Sequence, residues 1–309
     1  MLRLRECAEK INITGGVRVD EPLAEYTTFR VGGPADLLAR PHSASDLAKL
    51  LQFAEEQKIP WFVLGGGSNV LVSDRGIRGL VIETGALVGQ AIDGLDLTVG
   101  SGVPMSDASA YAADHELAGL DFIYAMPGSV GGAVWMNARC YDGEISDVLA
   151  SVDLVGPDGS LGTYVPRAED FDYKRSPFMD RASIMTSVTF HLKSGDRESL
   201  WTKMRDHESD RTAKGHFAAP CAGSVFKNNR AFGAPSGALI DRLGLRGFQI
   251  GGARVSDQHA NIVVNTGDAT AADIRAVIEH VRHRVAAELG LALEREVLYV
   301  GDWRTDEHE

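Results

Sequence analysis

The sequence predicts an α+β protein of about two domains, and three observations carry that reading. Short apolar runs recur at strand length, amphipathic segments recur at helical spacing, and an excess of glycine is confined to the turns between them. Hydrophobic residues make up 44% of the 309 positions and charged residues 24%, which excludes collagen-like, disordered and membrane-embedded classes. The charge, 31 Lys and Arg against 43 Asp and Glu, is −12, and it opposes a nucleic-acid duplex or an anionic bilayer over most of the surface. A local cationic pocket for a small anion stays compatible with it. The first ten residues, MLRLRECAEK, contain no signal-peptide core, and no apolar run approaches a membrane span, so the expected location is cytoplasmic. Cys7, Cys140 and Cys221 are odd in number and far apart, which fits neither a disulfide framework nor a zinc pair.

The elements follow in order. SASDLAKLLQFAEEQ, residues 43–57, carries Leu47, Leu50, Leu51 and Ala54 on one helical face behind a Ser start. WFVL (61–64) and VLV (70–72) flank three glycines, and GLVIE (79–83) and LDLTV (95–99) read as further strands. Met105 to Glu116 reads as a helix. SVDLVGPDGSLGTYV, residues 151–165, has a Pro-Asp-Gly turn between β-rich runs and predicts a hairpin, and IMTSVTF (184–190) is another strand. A charged helical stretch after residue 195 marks a boundary between residues 1–195 and 196–296. Beyond it come the strand NIVVN (261–265) and a helix from Thr270 to Leu289 with Ile274, Val277, Ile278, Val281 and Val285 on one face. Gly290 stops that helix, and EVLYV opens the closing strand segment, 297–309.

Four motifs bear on chemistry. In LGGGSN, Gly65, Gly66, Gly67, Ser68 and Asn69 allow close backbone approach to a ligand and offer successive donors to phosphate oxygens, although an isolated glycine triplet is more commonly a plain turn. The segment is neither a Rossmann fingerprint nor a P-loop. In MPGSVGGAVWMNA, Pro127 with Gly128, Ser129, Gly131 and Gly132 suits a ring or pyrophosphate pressed on the backbone, and two such loops favour a phosphate-bearing cofactor. AGSVFKN holds Ser224, and LEREV holds Glu294 and Glu296. On the residues alone these read more commonly as a turn or capping serine and a strand of alternating charge. His280 and His283, spaced as metal ligands but set among arginines, are expected on the solvated surface.

Taken together, TTFRVGGPADLL, LGGGSNVL, MPGSVGGAVWMNA, AGSVFKN, LGLRGFQIGGARVSDQHANIVVN and LEREV resemble, in order, the UDP-N-acetylenolpyruvoylglucosamine reductases, flavoenzymes of bacterial cell-wall synthesis. The resemblance runs from Thr27 to Gly301. It implies a two-subdomain FAD-binding fold of the vanillyl-alcohol-oxidase type (about 1–58 and 59–195, to which the 297–309 strand may return) and a C-terminal α+β substrate domain. It also implies non-covalent FAD, because no histidine stands near the first glycine loop to tether it, and NADPH as co-substrate. The substrate would be UDP-N-acetylglucosamine enolpyruvate, reduced to UDP-N-acetylmuramate for peptidoglycan, and hence for cell shape and division.

Carried over by motif, the resemblance places FAD along Gly65, Gly66, Gly67, Ser68 and Asn69 and along Gly128, Ser129, Gly131 and Gly132. The proton donor falls on Ser224, its carboxylate on Glu296, and substrate contacts on Tyr173, Arg175 and Asn228; Lys227 and Lys214 are candidates for the substrate's diphosphate by their charge alone. The family pattern Tyr-Arg-x-Ser reads here Tyr173-Lys174-Arg175-Ser176. Lys174 keeps the charge without the planar fork. It is expected to fill the arginine's role on an extended segment, where a shift to Arg175 would turn the side chain to the other face. Asn229 replaces a usual proline. Two other readings use the same residues: an FAD oxidase of another substrate, and a flavin binder without turnover.

Overall fold

The structure, a computed structural model, describes residues 11–304. The first ten residues, with Cys7 and the leader reading made on them, lie outside the described residues. The chain packs into two compact units. The first holds Met1–Val19, Asp36–Gly66 and Gly79–Ser209, and the second holds Asp20–Ala35, Gly67–Arg78 and Asp210–Glu309.

Most of one sheet in the first unit runs in the order Val17–Pro22, Pro34–Ala39, Ile77–Glu83, Trp61–Leu64, the last two strands being parallel. The helix Ala44–Gln57 packs with it through Leu47, Leu50, Leu51 and Ala54, the face its spacing predicts. Ser43 caps that helix, its hydroxyl accepting from the Asp46 N–H at 3.1 Å, and Lys58 ends it in the left-handed region. A five-stranded antiparallel sheet follows, ordered Leu161–Tyr164, Leu149–Val155, Ile184–His191, Asp96–Gly100, Gln90–Asp93. The expected hairpin closes through Gly156 and Ser160 around Pro157, Asp158 and Gly159. The helix Met105–Asp114 and a six-residue helix, Val130–Trp135, cover this sheet, and Val130 and Val134 sit in its core.

In the second unit a four-stranded antiparallel sheet is ordered Cys221–Ser224, Ile262–Asn265, Ala253–Val255, Gln249–Ile250. The helix Ala271–Leu289 buries Ile274, Val277, Ile278, Val281 and Val285 in that unit's core, as the periodicity predicts. Thr270 and Asp273 form a capping box at its start, and Asp74 adds a carboxylate that accepts from the N–H groups of Ala271 and Ala272 at 2.8 and 2.9 Å. Gly290, at φ +67°, ends it. The closing strand Leu298–Val300 pairs in parallel with Val70–Val72.

Some features differ from expectation. The units are not consecutive stretches: residues 20–35 and 67–78 pack with the C-terminal part, and the break after the five-stranded region falls at Asp210, inside the charged helix Arg197–Ala213. Leu200 and Met204 of that helix are buried in the first unit, which places its early turns there. His280 is not a solvated side chain. Its ring stacks on Phe248 with centroids 4.0 Å apart, because position 280 borders the apolar stripe, while His283 stays exposed. Among the described residues there is no metal-ligating cluster and no helix long and apolar enough to cross a membrane.

His216 and Cys221 lie beside this second core. Burial pushes the Cys221 thiol up, and its sulfur donates to the His216 carbonyl, so it remains an inert thiol. Burial, followed by the positive charge of Arg211, holds the His216 imidazole down at about 4. A native value below the usual 6.5 means the unfolded chain binds more protons between those limits. Stability is therefore fully present above pH 6.5 and declines as pH falls toward 4. Chemical denaturation across that range should show a loss on the order of 1 kcal/mol that His216→Asn removes, after discounting for partial exposure; an unchanged pH slope in the variant would exclude the assignment.

Candidate functional site

Gly65 and Gly66 of the first glycine motif meet the second motif within the first unit. A Cβ on Gly66 would lie 2.9 Å from the Gly128 Cα and 3.0 Å from the Ser129 nitrogen, and one on Gly65 would lie 2.7 Å from the Ser129 hydroxyl. Only a chain without side chains can make this backbone-on-backbone contact. The second loop is held from below, since Gly131 and Val130 donate to the carbonyls of Ser101 and Val103, and Met105 donates to that of Gly128. Ser129 caps the following short helix, its hydroxyl accepting from the Gly132 N–H at 3.3 Å.

The donors left over are informative. Among the described residues, the backbone N–H groups of Gly65, Gly66, Gly67, Ser68, Gly128 and Ser129 donate to no protein acceptor. Gly67 and Ser129 are buried, where an unpaired N–H is uncommon and costly. Such a run of amides suits the oxygens of a diphosphate. Within the first unit the residues present therefore fit FAD's pyrophosphate, and Gly65, Gly66, Gly128 and Ser129 are those that would hold it. Gly131 and Gly132 instead spend their N–H groups on Ser101 and Ser129, so they shape the loop.

The MPGSVGGAVWMNA motif also fixes the Tyr173–Arg175 segment. Asn137, fully buried, donates through its amide to the Asp172 carbonyl at 3.1 Å, and the Ser176 hydroxyl donates to the Trp135 carbonyl at 2.6 Å. The segment is not extended. Asp172 and Arg175 exchange backbone hydrogen bonds around a two-residue turn, and Lys174 adopts φ +56°. The Asp172 carboxylate, accepting from the Tyr173 N–H, favours that turn. The face-switching reason for preferring Lys174 over Arg175 therefore does not hold; Arg175 pairs with Asp180, both largely exposed at 67% and 72%.

In the second unit, Ser224 ends the strand Cys221–Ser224 after an irregularity in its pairing, where Gly223 stands at φ +67°. Its hydroxyl has no hydrogen-bond partner among the described residues. Glu296 runs alongside, its N–H donating to the Val225 carbonyl at 2.7 Å. Asn261, a residue the sequence reading passed over although it lies in the quoted HANIVVN motif, clamps this segment. Its carbonyl oxygens accept from Val225 and Phe226, and its amide donates to the Phe226 carbonyl at 2.8 Å. Lys227 pairs with Glu294 at 2.6 Å, and the Asn228 side chain accepts from the Ser236 N–H. Lys214 pairs with Asp210 at 2.6 Å on the helix that ends before this strand.

These features define a class before they define a family: a flavoprotein with an FAD-binding domain of the vanillyl-alcohol-oxidase type. An FAD binding domain profile matches residues 35–163. The fold resemblance extends to 6-hydroxy-D-nicotine oxidase of Arthrobacter nicotinovorans, at a TM-score of 0.50 and 23% identity over 60% of this chain and 44% of that one. The second profile, for the C-terminal domain of UDP-N-acetylenolpyruvoylglucosamine reductase, matches residues 215–300. Proteins with that name from Treponema denticola and Heliobacterium modesticaldum are 40% and 42% identical, covering 94% and 91% of this chain and 95% and 90% of theirs. The crystal structure of the Thermus caldophilus reductase matches with a TM-score of 0.76 and 35% identity over 92% of this chain and 99% of that one. The chain belongs to the UDP-N-acetylenolpyruvoylglucosamine reductase family.

Gly66→Ala tests the loop contact. The new methyl meets backbone on the facing loop, which has no rotamer to yield, so a loss of about 1–3 kcal/mol is expected in denaturation, together with a large drop in flavin content after purification. A variant with wild-type stability and full flavin content would show that the two loops do not depend on this approach.

Proposed function

We propose that this protein reduces UDP-N-acetylglucosamine enolpyruvate to UDP-N-acetylmuramate with NADPH, supplying peptidoglycan synthesis in the cytoplasm. The observation that carries the reading is the pair of facing glycine loops with their unpaired N–H groups, in a chain of this family. The domain roles follow from it: the first unit takes the cofactor and the C-terminal part takes the sugar nucleotide. When bound, FAD supplies a hydride carrier between the nicotinamide and the terminal methylene of the enolpyruvyl ether.

The chain's own residues then have three tasks. Ser224 delivers a proton to the carbon beside the substrate carboxylate, which suits a hydroxyl with no partner among the described residues. Glu296, whose backbone is bonded beside it, orients or reprotonates that hydroxyl. Lys174 opposes the negative charge that grows on the substrate carboxylate as hydride arrives, as a point charge on a tight turn. Tyr173, Arg175, Lys227 and Asn228 are assigned to the substrate, and Asn69 to the cofactor loop. The reading of an oxidase with another substrate is disfavoured by the match over residues 215–300, because function resides in the site carried on a shared fold.

Rapid mixing separates the half-reactions. Ser224→Ala should retain FAD and its bleaching by NADPH, while recovery of the flavin spectrum with the enolpyruvyl substrate slows by about 10²–10³-fold. Recovery at the normal rate would remove Ser224 from the proton step, and absence of bleaching in the wild type would end the NADPH reading. Lys174→Met is expected to slow the same recovery more than Arg175→Met does; near-normal recovery in both would dismiss this turn from the chemistry.

A further inference from the structure

We infer that Asn69 is a positioning residue that couples the first glycine loop to the Glu296 and Ser224 segment. Its side-chain amide donates to the Glu296 carbonyl at 3.1 Å, and its own carbonyl accepts from the Leu298 N–H at 3.0 Å. One residue thus grips the LEREV segment on both sides of Val297. From Glu296 the line continues through backbone, since the Val225 carbonyl accepts from Glu296 at 2.7 Å and from Val297 at 3.4 Å, and Ser224 is the next residue. On its other side Asn69 follows directly on Gly67 and Ser68, whose N–H groups have no protein acceptor among the described residues.

The mechanical argument rests on what is fixed and what is free. Gly67, at φ +61°, is pressed against Tyr26, where a Cβ would meet the Tyr26 carbonyl at 1.9 Å, and its own carbonyl accepts from the Thr28 N–H at 3.1 Å. Beyond Asn69, the strand Val70–Val72 is locked in parallel register with Leu298–Val300. Between these anchors, a diphosphate oxygen that engages the Gly67 and Ser68 amides orders the two peptides that precede Asn69. That ordering passes to Glu296 through the 3.1 Å hydrogen bond. FAD binding on the loop therefore also sets the segment that carries the proton-handling groups. This inference rests on the roles proposed above for Ser224 and Glu296, whereas the coupling itself is a property of the apoprotein and its cofactor.

Hydrogen exchange on apoprotein, with and without FAD, tests the coupling without turnover. In the wild type, FAD should slow exchange at Glu296, Val297 and Leu298 by about tenfold, the size of one neutral hydrogen bond. In Asn69→Ala, FAD should still quench on binding but change exchange there less than about twofold. Asn69→Ser, whose hydroxyl is too short for the same reach, should behave alike and covers the case in which the alanine variant does not fold. Equal protection in variant and wild type, or none in either, overturns the coupling. In rapid mixing of FAD-saturated variants, reoxidation by the enolpyruvyl substrate should slow about tenfold more than flavin reduction by NADPH does, and its pH profile should shift. Equal slowing of both half-reactions, or an unshifted profile, overturns the positioning role. Failure of the Ser224→Ala prediction with the exchange result intact would instead fault the assigned chemistry.

Discussion

The architecture depends on a backbone approach that no side chain can share: Gly66 lies against Gly128 and Ser129. Two loops distant in sequence touch through their main chains, so each presents N–H groups that regular structure would otherwise consume. Those amides are what an anionic cofactor can use. The same contact explains why glycine is concentrated where it is, since Gly65 and Gly66 meet the facing loop while Gly67 needs its left-handed conformation beside Tyr26.

Each glycine motif also carries an asparagine that reaches a segment distant in sequence. Asn69 bonds the Glu296 carbonyl, and Asn137 bonds the Asp172 carbonyl at the turn bearing Lys174. Asparagine suits this task because its amide donates to a carbonyl while its own oxygen remains free to accept, as Asn137 does from the Ser146 N–H. The arrangement ties each motif to a segment far away in sequence through a neutral side chain. Asn261 performs the same service just past the Cys221–Ser224 strand, satisfying both the N–H and the carbonyl of Phe226.

Local physics made much of this legible. The helix Ala271–Leu289 was readable from its apolar stripe, its Thr270 start and its Gly290 stop, and the hairpin around Pro157–Gly159 from its turn residues. The class of protein was readable from motif order. What escaped was non-local or unsignalled. Lys174 occupies a left-handed position that glycine or asparagine normally marks, so only Asp172 hinted at a turn. His280 borders the buried face closely enough to stack on Phe248, which a count of flanking arginines hides. The interleaving of residues 20–35 and 67–78 with the C-terminal unit comes from strand pairing and capping, such as Asp74 on the helix at Ala271, that no linear division contains.

The central claim is that the amides of the two glycine loops receive the cofactor's diphosphate. Isotope-labelled glycine amides of the apoprotein, followed by NMR during titration, test it most directly. Titration with FAD should move the Gly65, Gly66 and Gly128 signals strongly while riboflavin, which lacks the diphosphate, leaves them near their starting positions. Signals that stay in place with FAD, or that respond equally to riboflavin, would contradict the account.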